Sequence, residues 1–256
     1  MASAPLTVKA DSMFVSEMRG DNEVPAVNSD AYGVAEVKLN GDRNEVMVEV
    51  TTSGLTGPIT GAHIHKGAAG TNGAIVKPLN ISGNRLSATW KMSDNPNPLT
   101  LTLLNDLLIG NLYVNAHTDA NPGGEIRGQL MSTQNKVYSL LLDGSQEVPA
   151  VNNNAKGAAW VMISPDHSQV TVKGYAHGLS GLITSAHIHA GPVGLSGPIL
   201  KPLTVNGNVY ELTWTETDAV EPLTEEKVKK LMNGEYYINV HTAANPNGEI
   251  RAQIVD

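Results

Sequence analysis

The chain has 256 residues, a formal net charge of −8 and no cysteine. Its basic residues form no run or stripe, which argues against nucleic acid or an anionic membrane surface as the main partner. The lack of thiols excludes disulfides and leaves imidazole, carboxylate or backbone oxygen to hold any metal.

No apolar run approaches the ~18 residues that a membrane-spanning helix needs. The opening stretch MASAPLTVKADS lacks the basic and apolar regions of a signal peptide, and Met1 to Ala4 reads as an expression start fused to a mature sequence. Next comes EVPAVN at Glu23 to Asn28, where proline beside valine suits a protected edge strand. In EVMVEV, Val46, Val48 and Val50 point one way while Met47 and Glu49 point the other, the period of a half-buried strand. Turn signals such as NGDRN, SGLTGP and ISGN separate the runs at all-β spacing. AHIH follows at Ala62 to His65, KPL at Lys77, Trp90, LYVNAH at Leu112 to His117, and NPGGEIRGQ from Asn121.

Beyond a short polar STQN at Ser132 to Asn135 the same landmarks return in order. Each is offset by 124 residues, as His187 is from His63. A fixed offset over the whole set marks a duplication with no net insertion. Two modules are expected, residues 12–131 and 136–256, abutting across a short join. TEEKVKKLMNG predicts one short helix in the second copy. Thr224 is its N-cap, acids fill its first turn, lysines follow and Gly234 stops it. The counterpart, Thr100 to Gly110, is so apolar that it reads as a helix only through the repeat. The fold class is therefore all-β, two tandem β-sandwich or barrel modules with one short helix each.

Six of eight histidines occupy matching places: His63, His65 and His117, then His187, His189 and His241. Alternation gives their side. Ala62 and Ile64 face the core, so His63 and His65 face out. Leu112, Val114 and Ala116 face in, so Tyr113, Asn115 and His117 face out. After the turn, Glu125, Arg127 and Gln129 also face outward, with Glu125 and Arg127 spaced for an ion pair. The histidines are thus expected on the outer wall of the sheet.

An H-x-H pair on a strand sets two imidazoles roughly 6–7 Å apart along one face, near enough to share an ion held at about 2 Å from each nitrogen. A third histidine from a neighbouring strand completes a three-nitrogen set with an open position. Imidazole ligation suits copper, zinc or nickel, and Cu²⁺ binds most tightly of the divalent series. The expectation is two copper ions per chain, one on His63, His65 and His117 and one on His187, His189 and His241. The bland alternative is a polar cluster that both copies inherited. Asn115 and Tyr113 are placed to orient the rings, and Gly67, Gly70 and Gly73 form a loop beside them. Glu23 and Glu147 read as structural. His167 and His177, which stand where the first copy has Arg43 and Ser53, read as surface residues.

GDNEVPAVNSDAYG, GLTGPITGAHIHKGAAGTNG and GNLYVNAHTDANPGGEIRGQL, with their second-copy equivalents, resemble the CHRD (chordin) domain family over essentially the whole chain. That resemblance implies a secreted or cell-surface β-rich module, extracellular or periplasmic, whose leader has been removed. GLTGPITGAHIH also looks like the GLT…GFHVH stretch of copper–zinc superoxide dismutases. The second resemblance implies a Greek-key barrel with copper on its outside. His63 and His65 match the paired copper ligands and His117 the late ligand. Arg127 is a candidate anion-guiding residue, as is Arg251 in the second copy. No counterpart exists to the histidine bridging copper and zinc, nor to the zinc ligands beyond it, so zinc is not expected as a second metal. The expected function is metal capture, storage or delivery. The alternatives are an extracellular structural or adhesive module without metal, whose protein or matrix partner is open, and a copper-only enzyme acting on a small anion or oxidant.

Overall fold

A computed structural model describes residues 10–255. The first nine residues of the opening stretch read above as no signal peptide, and the last residue of the second module, lie outside the described residues. In the first module the strands are β1 (Ser12–Arg19), β2 (Tyr32–Leu39), β3 (Glu45–Ser53), β4 (Ile59–Lys66), β5 (Ile75–Pro78), β6 (Asn80–Ser82), β7 (Arg85–Lys91), β8 (Leu112–Thr118), β9 (Ile126–Gln129) and β10 (Met131–Thr133), with helix α1 (Leu101–Leu108) before β8. The second has β11 (Lys136–Asp143), β12 (Lys156–Ile163), β13 (Gln169–His177), β14 (Ile183–Ala190), β15 (Ile199–Asn206), β16 (Val209–Thr215), β17 (Tyr236–Thr242) and β18 (Ile250–Gln253), with helix α2 (Glu225–Met232) before β17.

The second module is a closed barrel in the order β11-β12-β13-β16-β15-β14-β17-β18. Two long crossings make this a Greek-key arrangement: β13 to β14 passes over the end of the barrel, and β16 returns to β17 through α2. The first module runs β5-β4-β8-β9-β1-β2-β3-β7-β6. Its terminal members β5 and β6 are separated only by Leu79, so together they replace the single strand β15. β10 pairs back onto β1.

Alternation places the core as expected. Val46, Val48 and Val50 are buried with Phe14, Ile64, Leu86, Trp90, Val114 and Ile126, while Met47 is exposed. Each core tryptophan is satisfied by a carbonyl, Trp90 Nε1 donating to Asn97 O at 2.9 Å and Trp214 Nε1 to Glu221 O at 2.7 Å. Both helices are present. The Thr100 hydroxyl accepts from the Leu103 amide and that of Thr224 from the Lys227 amide, which caps each first turn.

The modules pack β1–β3 against β11–β13. Tyr32 stacks on Tyr175 with centroids 4.2 Å apart, and the Arg19 guanidinium lies 4.6 Å from the Tyr175 ring. Trp160 Nε1 and Lys173 both reach the Glu17 carboxylate. His177 lies in this seam, 3.1 Å from the Ser53 hydroxyl. The expectation of a surface role fails for His177, because the second module's neighbour is another module rather than water. His167, facing solvent and paired with Glu225, fits that expectation.

Candidate metal centre

Three hydrogen-bonded strands build each centre. On β4, β8 and β9 the register sets His63 opposite Asn115 and Asn115 opposite Arg127, then His65 opposite Tyr113 and Tyr113 opposite Gln129. His117 lies opposite Gly61 in the preceding row. The second module repeats these rows as His187–Asn239–Arg251 and His189–Tyr237–Gln253, with His241 opposite Ser185.

The histidines face away from the apolar core, but the outer wall is roofed. His65 and His241 are buried, and so are Glu125 and Arg127. Period two tells which face a side chain takes and is blind to a loop folded over that face. Ser29 and Thr56 cover Glu125, while over His65 and Arg127 the loop is Gly67 to Ala74. Its Gly73 carbonyl accepts from His65 Nδ1 at 3.0 Å, and the Gly73 amide donates to the Tyr113 hydroxyl. A side chain at Gly73 would collide with the Lys66 carbonyl, which is why this chain segment can close so tightly. Arg127 pins the loop by donating to Thr71 O at 2.8 Å and Ala68 O at 3.2 Å.

Arg127 and Arg251 therefore lie beside the centres with their guanidinium groups against the Tyr113 and Tyr237 rings, each 3.4 Å from the ring centroid. Glu125 forms no pair with Arg127. Its carboxylate accepts from the Thr56 and Thr118 hydroxyls at 2.7 and 2.6 Å, the Ser29 hydroxyl and the Thr56 amide. Burial raises its pKa, but these four bonds outweigh that and hold it below the usual carboxylate range.

Backbone carbonyls fix the histidine tautomers, since a carbonyl can only accept. His65 Nδ1 donates to Gly73 O, and His117 Nδ1 donates to Pro122 O at 3.0 Å. Both Nε2 atoms then carry lone pairs. His65 Nε2 is buried with no hydrogen-bond partner, and His117 Nε2 lies 3.2 Å from His63 Nδ1. The second centre is the same: His189 Nδ1 to Gly197 O at 2.9 Å, His241 Nδ1 to Pro246 O at 3.1 Å, and His187 Nδ1 3.0 Å from His241 Nε2. His189 Nε2 is likewise unpartnered.

In each triad the three ligand atoms lie within 4.8 Å of one another. Nitrogens bound to one ion at about 2.0–2.1 Å sit at most about 4.2 Å apart, so small ring rotations close the set. Burial, then the neighbouring rings, lowers the pKa of His63, and the same causes bring His187 down to about 4. Burial also lowers His65, His117, His189 and His241. The rings are neutral at neutral pH, the form that binds metal.

The sequence reading brought together all six histidines, and it placed Tyr113, Asn115 and the glycine loop beside them. It missed the carbonyls of Gly73 and Pro122, which no side-chain pattern marks. It also missed that Glu23 and Glu147 lie behind the centres. A Cβ on Gly124 (φ +127°) would strike the Glu23 carboxylate and sit 2.9 Å from Asn115 Nδ2, so those two groups meet over a residue that has to be glycine. Burial pushes Glu23 and Glu147 up to about 7 against the opposing pull of Arg127 and Arg251. The one available signal was the recurrence of EVPAVN beside NPxGEIR in both copies.

The CHRD domain family model matches residues 14–130 and 138–254. Among curated relatives, a protein named Chordin from Danio rerio is 29% identical over 162 residues, covering 58% of this chain and 17% of that protein. A Chordin from Xenopus laevis is 31% identical over 168 residues, covering 59% of this chain and 17% of its own length. The chain thus spans a small part of either relative.

Proposed function

The chain belongs to the CHRD domain family, and from that premise we propose that it is an extracellular pair of modules in which each module holds one copper ion for capture, storage or delivery. What carries the reading is the convergence of three neutral imidazoles, two with tautomers fixed by backbone carbonyls so that their lone pairs point at one spot. A surface cluster retained by inheritance has no need of donors on the far nitrogens. The same arrangement occurs in both copies, although their loops have diverged. Three nitrogen donors without thiolate suit Cu²⁺ at the head of the divalent affinity order, with zinc behind it. Binding leaves His65 and His117 as they are and asks only that His63 Nδ1 give up its proton.

The extracellular assignment draws on the family and on the relatives named Chordin. Those relatives also favour a second reading, a protein-binding extracellular module whose histidines hold no ion. A third, copper-dependent oxidation or dismutation of a small anion, gains least support, because Arg127 is committed to the loop carbonyls.

The test is a Cu²⁺ titration of metal-stripped protein followed by EPR, beside a His63→Ala/His187→Ala variant. The copper reading expects two equivalents with nitrogen hyperfine structure, lost in the variant. No saturable binding would sink it and leave the protein-binding module. A dismutation rate no greater than that of free copper would remove the enzyme.

A further inference from the structure

We propose that Asn115 and Asn239 are metal ligands, each supplying a side-chain oxygen that completes a three-nitrogen, one-oxygen set. The proposal rests on the copper reading and deepens it.

Asn115 occupies the middle of its cross-strand row, between His63 on β4 and Arg127 on β9, and two residues before His117 on the same face of β8. Asn115 is 3% exposed and Asn239 2%. A buried amide needs partners at both ends. The NH₂ end is turned toward an acid: Asn115 Nδ2 and the Glu23 carboxylate approach each other over Gly124, as Asn239 Nδ2 and Glu147 do over Gly248, and the Glu23 and Glu147 Oε1 atoms have no other partner. The oxygen end points the other way, with Asn115 Oδ1 2.9 Å from His117 Nε2.

No hydrogen lies between those two atoms for them to share. His117 Nδ1 carries its proton toward Pro122 O, so Nε2 presents a lone pair. The proton that His63 Nδ1 can offer to Nε2 does nothing for the amide oxygen. Flipping the amide would let it donate to His117 Nε2 but would set its oxygen against the Glu23 carboxylate, which suits only the protonated form of that acid. In the second module the fault is open: Asn239 Oδ1 and His189 Nε2 are both buried without any hydrogen-bond partner. Three acceptors, the Asn115 oxygen and the Nε2 atoms of His65 and His117, thus converge with only the His63 proton among them, a shortage that a cation resolves.

The spacing agrees. Donors held about 2.0–2.1 Å from one ion are separated by about 2.9 Å at a square corner and about 3.3 Å along a tetrahedral edge. Asn115 Oδ1 to His117 Nε2 is 2.9 Å, and His117 Nε2 to His63 Nδ1 is 3.2 Å.

Two consequences follow. A fourth protein donor closes the set, which suits holding a metal rather than turning over a substrate on it. An amide oxygen is a hard donor, so it favours Cu²⁺ and contributes little to the softer Cu⁺. The centre would therefore hold copper in its oxidised form and loosen when the ion is reduced.

The experiment compares the full chain with Asn115→Leu/Asn239→Leu and with Asn115→Asp/Asn239→Asp, checking each fold by circular dichroism. Cu²⁺ binding is read by competition and EPR, and Cu⁺ binding by competition with a chromophoric Cu⁺ chelator. The leucine variant should bind Cu²⁺ about 10–100-fold more weakly with an altered EPR spectrum, while its Cu⁺ affinity is unchanged. The aspartate variant, which keeps an oxygen in place, should restore Cu²⁺ affinity. Equal weakening toward both oxidation states would overturn the proposal and make asparagine an orienting residue, as would a leucine variant with wild-type Cu²⁺ affinity and spectrum. Absence of Cu²⁺ binding by the unsubstituted chain would instead remove the copper reading itself.

Discussion

The Arg127 guanidinium carbon lies 3.4 Å from the centre of the Tyr113 ring, and the ring's opposite face stacks on His65 with centroids 4.8 Å apart. Strand order makes the layering unavoidable, since β8 runs between β4, which carries His65, and β9, which carries Arg127. A cation, an aromatic ring and a candidate ligand are thus clamped in one stack, with the loop of Gly67 to Ala74 tied to the cation.

Arg127→Met keeps the side chain's bulk and removes its bonds to Ala68 O and Thr71 O. The loop should loosen its hold on His65, weakening copper at the first centre about tenfold and leaving the second unchanged. Loss of charge-assisted bonds to the loop should lower the first module's stability by about 2–3 kcal/mol. A copper titration resolving one tight and one weakened equivalent is the check. Two unchanged equivalents would show that Arg127 does not govern His65.

Glu125→Gln should destabilise the first module by about 2–4 kcal/mol, because a carboxylate accepting four bonds is replaced by a group that must also donate. The folded carboxylate's pKa is depressed. Its contribution is therefore present above the unfolded value near 4.5 and disappears as pH falls through the lower folded value. Urea denaturation at pH 7 and pH 3 should show the difference between wild type and variant shrinking at the acid end.

The triad histidines work in a different window. His187 falls from the ordinary 6.5 to about 4 in the folded chain, so between those values the unfolded chain binds more protons. Its contribution is complete above about 6.5 and lost as pH falls toward 4. The other five triad histidines share that direction. Glu23 and Glu147 oppose it. Raised to about 7, they favour the fold most below 4.5 and lose that contribution as pH rises through 7. Metal-free protein should show a Tm that falls on acidification from pH 6.5 to 4, with a shallower fall in His187→Gln. A Tm independent of pH across that range would contradict the burial of the rings.

Tyr175→Ser removes the stack on Tyr32 and the ring beneath Arg19. The ring contact alone is worth about 0.5–1.5 kcal/mol beyond its buried area. Calorimetry should show the unfolding of the two modules separating into distinct transitions, and on the copper reading each centre should bind Cu²⁺ as in the unsubstituted chain. An unchanged single transition would mean that the seam does not couple them.

Much of this was legible in the sequence because the chain states it twice. The period-two strands set the core, and the constant offset rescued α1, whose apolar text Leu101 to Leu108 resembles a strand. The histidine triads needed only alternation and the repeat. What alternation could not give was cover. Glu125 and Arg127 point away from the core as expected and are nevertheless buried, because segments distant in sequence lie over them, Ser29 and Thr56 on the first and the loop of Gly67 to Ala74 on the second. His177 is the other instance. Its neighbour Ser53 is 124 residues away, and a pattern read along one strand carries no information on which surface another module will occupy.

The seam also limits how such modules can be strung together. Each barrel offers its first three strands, β1–β3 meeting β11–β13, so the pairing occupies the same side of both partners. A solenoid needs two different adhesive sides per unit, one for the repeat before and one for the repeat after. Here both units use the same side, and each has spent it on the other. In a longer chain built from these sequences this seam would join modules in twos, beads in pairs, and could not run on as a continuous rod.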